Sequence, residues 1–441
     1  MKKRLFTIIM GCWMMSNVSA QETVYPAPAQ SQAIALTNAT IHVGNGQVIE
    51  NGTIVFSNGK ITAVGASAAS GNAKVIDCKG KHIYPGLILS GSNVGLVEVS
   101  SVRATSDVRE IGEYNTNIRA IAAYNTDSKV TNTLRMNGIL FANIVPEGGT
   151  ISGSSSLVQL DAWNWEDAAY LADNGIHFNM PSLLNRSGGR RGGGGGFPGG
   201  FGGGAPAGDP IKRSLDQIEK VKGFFREAQA YLAQSSHEQT NLKYESVKGL
   251  FSKKQKFFIH CNVVKEMLVA IDFAKEFGFE VVIVGGSDSY LIPDLLKQNN
   301  IAVILDQMHS LPTMVDDDVD QPFKTPAALQ KAGVLFAIND DDGNTRQRNL
   351  AFNAGTAATY GLSKEEALSA ITLNPAKILG VGDKTGSLEV GKDANLLVSV
   401  GDILDMKTNI LDYAFIQGRQ IELTDKHKQL YERYKYKYGL K

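Results

Sequence analysis

Two of the seven histidines stand where apolar, strand-like runs end: His260 in KFFIHCN and His309 in ILDQMHSLP, just after IAVIL. Asp306 precedes His309, and the run GVLFAIND opens onto Asp340, Asp341 and Asp342. Imidazoles and carboxylates at strand ends are the groups that hold divalent metals or move protons in hydrolysis. His309 with Asp306 and His260 would form one such site, although nothing in the spacing sets the direction of His309. After GILFANIV comes Glu147-Gly148-Gly149-Thr150-Ile151-Ser152-Gly153-Ser154-Ser155-Ser156. This stretch is expected to be a loop. Its backbone N–H groups and hydroxyls, Ser152 and Ser154 included, could hold a carbonyl or carboxylate oxygen. A plain flexible turn is the alternative. Ser92 has no histidine partner visible in the sequence, so no serine nucleophile is expected. Cys261 follows His260 directly, and adjacent strand residues face opposite sides, so the two should not meet. His42, His82, His177, His237 and His427 read as structural or exposed.

These groups need elements to position them. From Ala33 the texture is short and β-like: IALTNATIHV, GTIVFSNGKITAVG with Asn58-Gly59 as a hairpin turn, then KVIDCKGKHIYPG. After Gly86 the texture changes. The runs 138–145, 256–262, 279–286, 301–305 and 333–340 are apolar throughout, as strands buried on both faces should be. Helical patterns near Val264–Phe277, Tyr290–Gln298 and Pro326–Ala332 separate the later runs. That alternation argues for parallel βαβ units. A helix is expected from Asp209 to Ser235, and Ser363 with Glu366 forms a capping box for another. GSLEVGKDANLLVSV and YAFIQGRQIEL return to strand texture before a charged helix from Asp425. Ser187 to Gly208 is almost all glycine and cannot bury enough surface to offset its ordering entropy. It is expected to be a disordered surface insertion, with a lid over the site as the rival reading.

Lys plus Arg equals Asp plus Glu, 44 of each, so net charge gives no case for nucleic acid or an anionic membrane as partner. Lys2, Lys3 and Arg4 precede a short apolar run, and Val18-Ser19-Ala20 supplies small residues for cleavage. Export to the periplasm or the extracellular space is expected, with the mature chain starting at Gln21. Cys12 sits too early for a good lipoprotein signal, and no stretch reads as a membrane span. Cys78 and Cys261 would remain; they could pair or stay as buried thiols.

Asp77 to Leu89 (DCKGKHIYPGLIL) resembles the exit from sandwich to barrel in the metal-dependent amidohydrolases. Asn374 to Gly380 (NPAKILG), followed by Gly386 to Ala394 (GSLEVGKDA), is similar to that family's return to the sandwich. The likeness is greatest to the imidazolonepropionase-like branch. It implies an α/β fold, a TIM-like (β/α)8 barrel inserted into a small discontinuous β-sandwich. The implied organisation is a signal peptide at 1–20, sandwich at 21–86 and 376–424, barrel at 87–375 with the insert 187–208, and a terminal helix at 425–441. The implied activity is hydrolysis of C–N bonds in amides or cyclic amides, with divalent metal activating water.

Position by position, the resemblance is incomplete. The family's His-x-His at the end of strand one is here Gly91 and Asn93, with Ser92 between them. The strand-five histidine is His260, the strand-six histidine is replaced by Gly285, and the strand-eight aspartate is Asp341. No strand-four bridging ligand stands out, Glu147 being the nearest carboxylate candidate. His260 is therefore a residual metal ligand, an acid–base group or a packed histidine. Asp341 is a ligand, a general base or a loop cap. Ser92, Asn93, Ser152, Ser154 and His309 are candidate contacts for a small polar amide-like ligand. The metal expected is none or one divalent ion, zinc. The leading expectation is an amidohydrolase with an eroded metal site and little or no activity. The alternatives are a mononuclear hydrolase using His260 and Asp341, or a non-catalytic binding or scaffold protein. A homodimer, or a heterodimer with a catalytically complete relative, is the expected partnership.

Overall fold

The structure, a computed structural model, describes residues 24–184, 209–306, 308–314, 316–341 and 344–440. The expected signal segment and the glycine-rich insert lie outside the described residues.

Eight strands form the barrel sheet, hydrogen-bonded in sequence order. They are β1 (Leu87–Ser92), β2 (Ile139–Ile144), β3 (Ile151–Gln159), β4 (Ala169–Asn179), β5 (Lys256–Cys261), β6 (Val281–Gly285), β7 (Ala302–Leu305) and β8 (Phe336–Ile338). The result is a TIM-like barrel, but its strands are not all parallel. β3 runs antiparallel to both β2 and β4. The links 145–150 and 160–168 are too short for the crossover that parallel neighbours require, so this part folds as a meander. Here the (β/α)8 pattern implied by the resemblance gives way, although the later runs pair in parallel as expected, and the expected loop 147–156 is largely strand: Ile151 to Ser156 belong to β3.

β8 meets β1 through a side chain. Asn339 Oδ1 accepts from the backbone N–H groups of Ser90 (2.9 Å) and Gly91 (3.2 Å). Asn339 Nδ2 donates to the Gly91 carbonyl at 3.0 Å. One amide thus does the work of a ladder rung across the seam. Helices cover the outside. Val264–Phe277 lies between β5 and β6, and Gln321–Ala332 between β7 and β8. The latter begins a turn earlier than its sequence pattern suggests, with Pro322 in its first turn, where a missing N–H costs nothing. Pro210–Leu232 starts from Asp209, whose carboxylate accepts from Ile211 N–H. Its Phe225 packs edge-on against Phe257 of β5 (5.2 Å) and Phe279 (5.2 Å), anchoring the helix on the barrel.

A second sheet of eight strands joins the two ends of the chain. Ile34–His42 pairs antiparallel with Val48–Ser57. On its other side it pairs parallel with Lys74–Asp77 and then with His82–Pro85. His82–Pro85 in turn pairs antiparallel with Leu396–Ser399, from beyond the barrel. Phe56 and Phe415 lie on strands that are not neighbours, yet their rings meet edge-on at 5.0 Å. The sheet therefore folds over into two layers around Leu36, Ile41, Ile54, Phe56, Leu396 and Phe415. Asn58 and Gly59 both take positive φ, 49° and 76°, as the tight hairpin turn requires. Buried Asp161 ties the parts together. It is paired with Arg135 and Arg419, and it accepts from Ala27 N–H at 2.9 Å. Cys78 and Cys261 are buried free thiols.

Candidate functional site

The C-terminal ends of the parallel barrel strands surround a cavity of about 350 Å³. β1 and the residue after it contribute Ser90, Gly91, Ser92 and Asn93; β4 contributes His177 and Asn179; β5 contributes His260. Asp306 follows β7, and Asn339 and Asp341 follow β8. Arg109 and Glu147 lie at the rim, 3.7 Å apart. This is where a barrel of this kind carries its chemistry, because loops of every strand converge there.

His177 was not expected among these residues. Its register on β4 sets it beside Phe258 of β5, on whose ring it stacks at 4.7 Å. From there His177 Nδ1 reaches His260 Nε2 at 2.9 Å, one nitrogen donating and the other accepting. Burial pushes the His260 imidazole down to about 4. Burial, together with His260 beside it, pushes His177 well below the usual histidine range. Both rings are neutral near pH 7. The only sequence signal for His177 is its strand-like setting, GIHFN, whose pairing partner cannot be read locally.

Asp306 also has a displaced proton affinity. Burial, with Asp341 beside it, raises its carboxyl to about 7. Asp341 N–H also donates to the Asp306 carbonyl at 2.9 Å, so the ends of β7 and β8 are tied together. Asp306 and Asp341 line a neighbouring cavity of about 260 Å³ as well, together with His309 and Asp340. The three-member site expected from His309, Asp306 and His260 is therefore split. His309 lies on the second cavity, bonded to Thr356 Oγ1 at 2.9 Å, while His260 lies on the first. Asp340 is buried and accepts from Asn353.

The remaining candidates divide in the same way. Ser92 lines the cavity, but its hydroxyl donates to Gln347 Oε1 (2.6 Å) and accepts from Val94 N–H (3.0 Å). Ser152 and Ser154 are buried in β3 and are not cavity residues, because the expected loop is a strand. Ser154 bonds the Ile118 carbonyl and Asp173. Asn93 reaches Glu147 with its Nδ2 at 3.4 Å, while its Oδ1 is buried and has no hydrogen-bond partner among the described residues. Ser90 Oγ and His177 Nε2 are likewise buried and without a partner among the described residues. Three lining residues thus carry unsatisfied polar atoms, which buried groups rarely leave unmatched.

The donor set does not fit a zinc centre. His260 Nε2 is engaged by His177, and Gly91 carries no ligand atom. Gly285 has φ +99°, and a Cβ there would lie 2.5 Å from Asn262 Oδ1, so the backbone itself has left the shape a histidine needs. Among the described residues no three of His, Cys, Asp and Glu come together as a metal site.

Residues 265–421 match the amidohydrolase family. An imidazolonepropionase of Mesorhizobium japonicum is 24% identical over 375 residues, covering 80% of this chain and 87% of that protein. Amidohydrolase tasK of Hapsidospora irregularis is 20% identical over 80% of this chain, which spans only 38% of that protein's length. The crystal structure of an amidohydrolase from Thermotoga maritima MSB8 superposes with a TM-score of 0.74. It is 25% identical, and the match covers 88% of this chain and 99% of that one. The barrel, its cavity at the strand ends and these matches agree: the chain is similar to amidohydrolases in fold and in sequence.

Proposed function

We propose that this protein is an exported amidohydrolase relative whose metal centre has eroded, and that its barrel mouth binds a small polar amide-like ligand with little or no metallohydrolase activity. The observation that carries this reading is the His177–His260 hydrogen bond. It occupies the nitrogen of the one strand-five histidine that a metal would need, while Gly91 and Gly285 offer nothing in its place. The unpartnered atoms of Ser90, Asn93 and His177 support a ligand that supplies the missing hydrogen bonds. Pairing with a catalytically complete relative belongs to the same reading, and a native pull-down that recovers no such relative would count against that part.

Elemental analysis of the chain from Gln21, purified without chelators, tests the core of the proposal. Metal content near zero after zinc addition is the expected result. One or two equivalents, lost on His260→Ala, would overturn it.

A second reading, a working C–N hydrolase using His260 and Asp341, is favoured by one observation. A carboxyl near 7, that of Asp306, opens onto the same cavity and is suited to moving protons at neutral pH. Turnover of cyclic amides or dipeptides that falls on Asp306→Asn and Asp341→Asn would establish it.

A further inference from the structure

The chain is neutral overall, but its last helix is not. Lys426–Lys437 carries Lys426, Lys428, Arg433, Lys435 and Lys437 against the single carboxylate of Glu432. The helix buries none of its residues and begins on Asp425, whose carboxylate accepts from Lys428 N–H at 2.8 Å. Its tyrosines are exposed: Tyr431 by 64%, Tyr434 by 52%, Tyr436 by 90%, and Tyr438, just past its end, by 65%. At about 100° per residue Tyr431, Tyr434 and Tyr438 fall within about 60° of one another, a single stripe along the helix, while Tyr436 lies on the opposite face. Lys428 and Lys435 flank the stripe on one side and Lys426 and Lys437 on the other, each roughly 90° away. Tyr434 and Tyr438 stack at 6.4 Å, and Lys437 Nζ stands 5.7 and 5.1 Å from their ring centres.

We propose that this helix is a docking surface for a membrane rich in anionic phospholipid, on which it lies flat. A tyrosine has an apolar body and a polar tip, which suits the headgroup level of a bilayer. Lysines on both flanks then reach lipid phosphates without leaving the stripe, each adding attraction near an anionic surface. Charge complementarity selects this occupant. A second copy of the chain would set one row of lysines against another. The helix anchors by contact and does not cross: among the described residues no helix is long and apolar enough to span a membrane.

The test is co-sedimentation of the full chain with vesicles of phosphatidylglycerol and phosphatidylcholine, and with phosphatidylcholine alone, at about 0.1 M salt, where charges are screened beyond roughly 10 Å. The expected result is binding to the anionic vesicles only. Reversing Lys426, Lys428, Lys435 and Lys437 to glutamate should weaken it at least tenfold. Tyr431→Ala with Tyr434→Ala and Tyr438→Ala should weaken it severalfold. Thermal unfolding should be unchanged in both variants, since the helix holds no core residue. Equal binding to neutral vesicles, or none to either, overturns the proposal. So does anionic binding that survives the lysine reversals. Retention on DNA or heparin without vesicle binding assigns the surface to a soluble polyanion, and helix-dependent self-association without lipid assigns it to a second copy; either result overturns the membrane reading.

Discussion

His177 Nδ1 and His260 Nε2, on adjacent parallel strands, share one hydrogen bond of 2.9 Å at the floor of the barrel mouth. Two neutral imidazoles joined in this way satisfy one another, and neither directs that nitrogen at a third atom. Replacing His177 with phenylalanine should free His260 Nε2 while keeping the stack on Phe258. Zinc affinity of the variant, followed by elemental analysis, is expected to stay low, because one imidazole is too few ligands. A rise to one bound equivalent would mean that the pair masks a complete site.

The pH dependence of stability has two opposing parts. His260 has a folded pKa depressed to about 4, so its contribution is present above the unfolded value near 6.5 and is lost as pH falls toward 4. Asp306 has a folded pKa raised to about 7, so its contribution is present below about 4 and is lost as pH rises through 7. Asp306→Asn should therefore stabilise the protein at pH 8 by a few kcal/mol and hardly at all at pH 4. His260→Gln should flatten the fall in stability below pH 6. Urea unfolding at pH 4, 6 and 8 checks both signs.

Asn339 closes the barrel seam with three hydrogen bonds, so Asn339→Ala leaves the Ser90 and Gly91 N–H groups without that partner. A loss of about 2–4 kcal/mol is expected. Asn339→Asp keeps the acceptor and loses the donor, and should fall between the two in urea midpoint.

Gly91 and Gly285, both on strands at the barrel mouth, are not equivalent. A Cβ at Gly91 would meet Asn339 Nδ2 at 3.5 Å and Val145 Cγ2 at 3.8 Å, which are ordinary contacts. A Cβ at Gly285 would meet Asn262 Oδ1 at 2.5 Å on a left-handed backbone. Gly91→His should fold with stability near that of the parent chain. Gly285→His should lose on the order of 2 kcal/mol or more. Equal stability of the two would show that the backbone of β6 can shift to accept a side chain at Gly285.

Much was legible in the residues themselves. Asn58-Gly59 forms a tight hairpin turn because both positions tolerate positive φ. Ser363 and Glu366 cap their helix reciprocally, as their spacing requires. The apolar runs ending at His260, Val284, Leu305 and Ile338 are parallel barrel strands because they are buried on both faces. These signals are local, set by a few neighbours along the chain.

What the tertiary structure decided is pairing between distant segments. β3 reads as a glycine- and serine-rich loop because small residues carry no hydrophobic period. Its strand state comes from β2 and β4, which bracket it in antiparallel register. His177 reads as a structural histidine until β4 docks on β5 and brings it to His260, 83 residues along the chain. His260 ends β5 and His309 follows β7, with β6 between them, and they line different cavities, because side-chain direction depends on loop backbone that spacing does not encode. Local chemistry made the elements, and register between remote strands chose which side chains share the site.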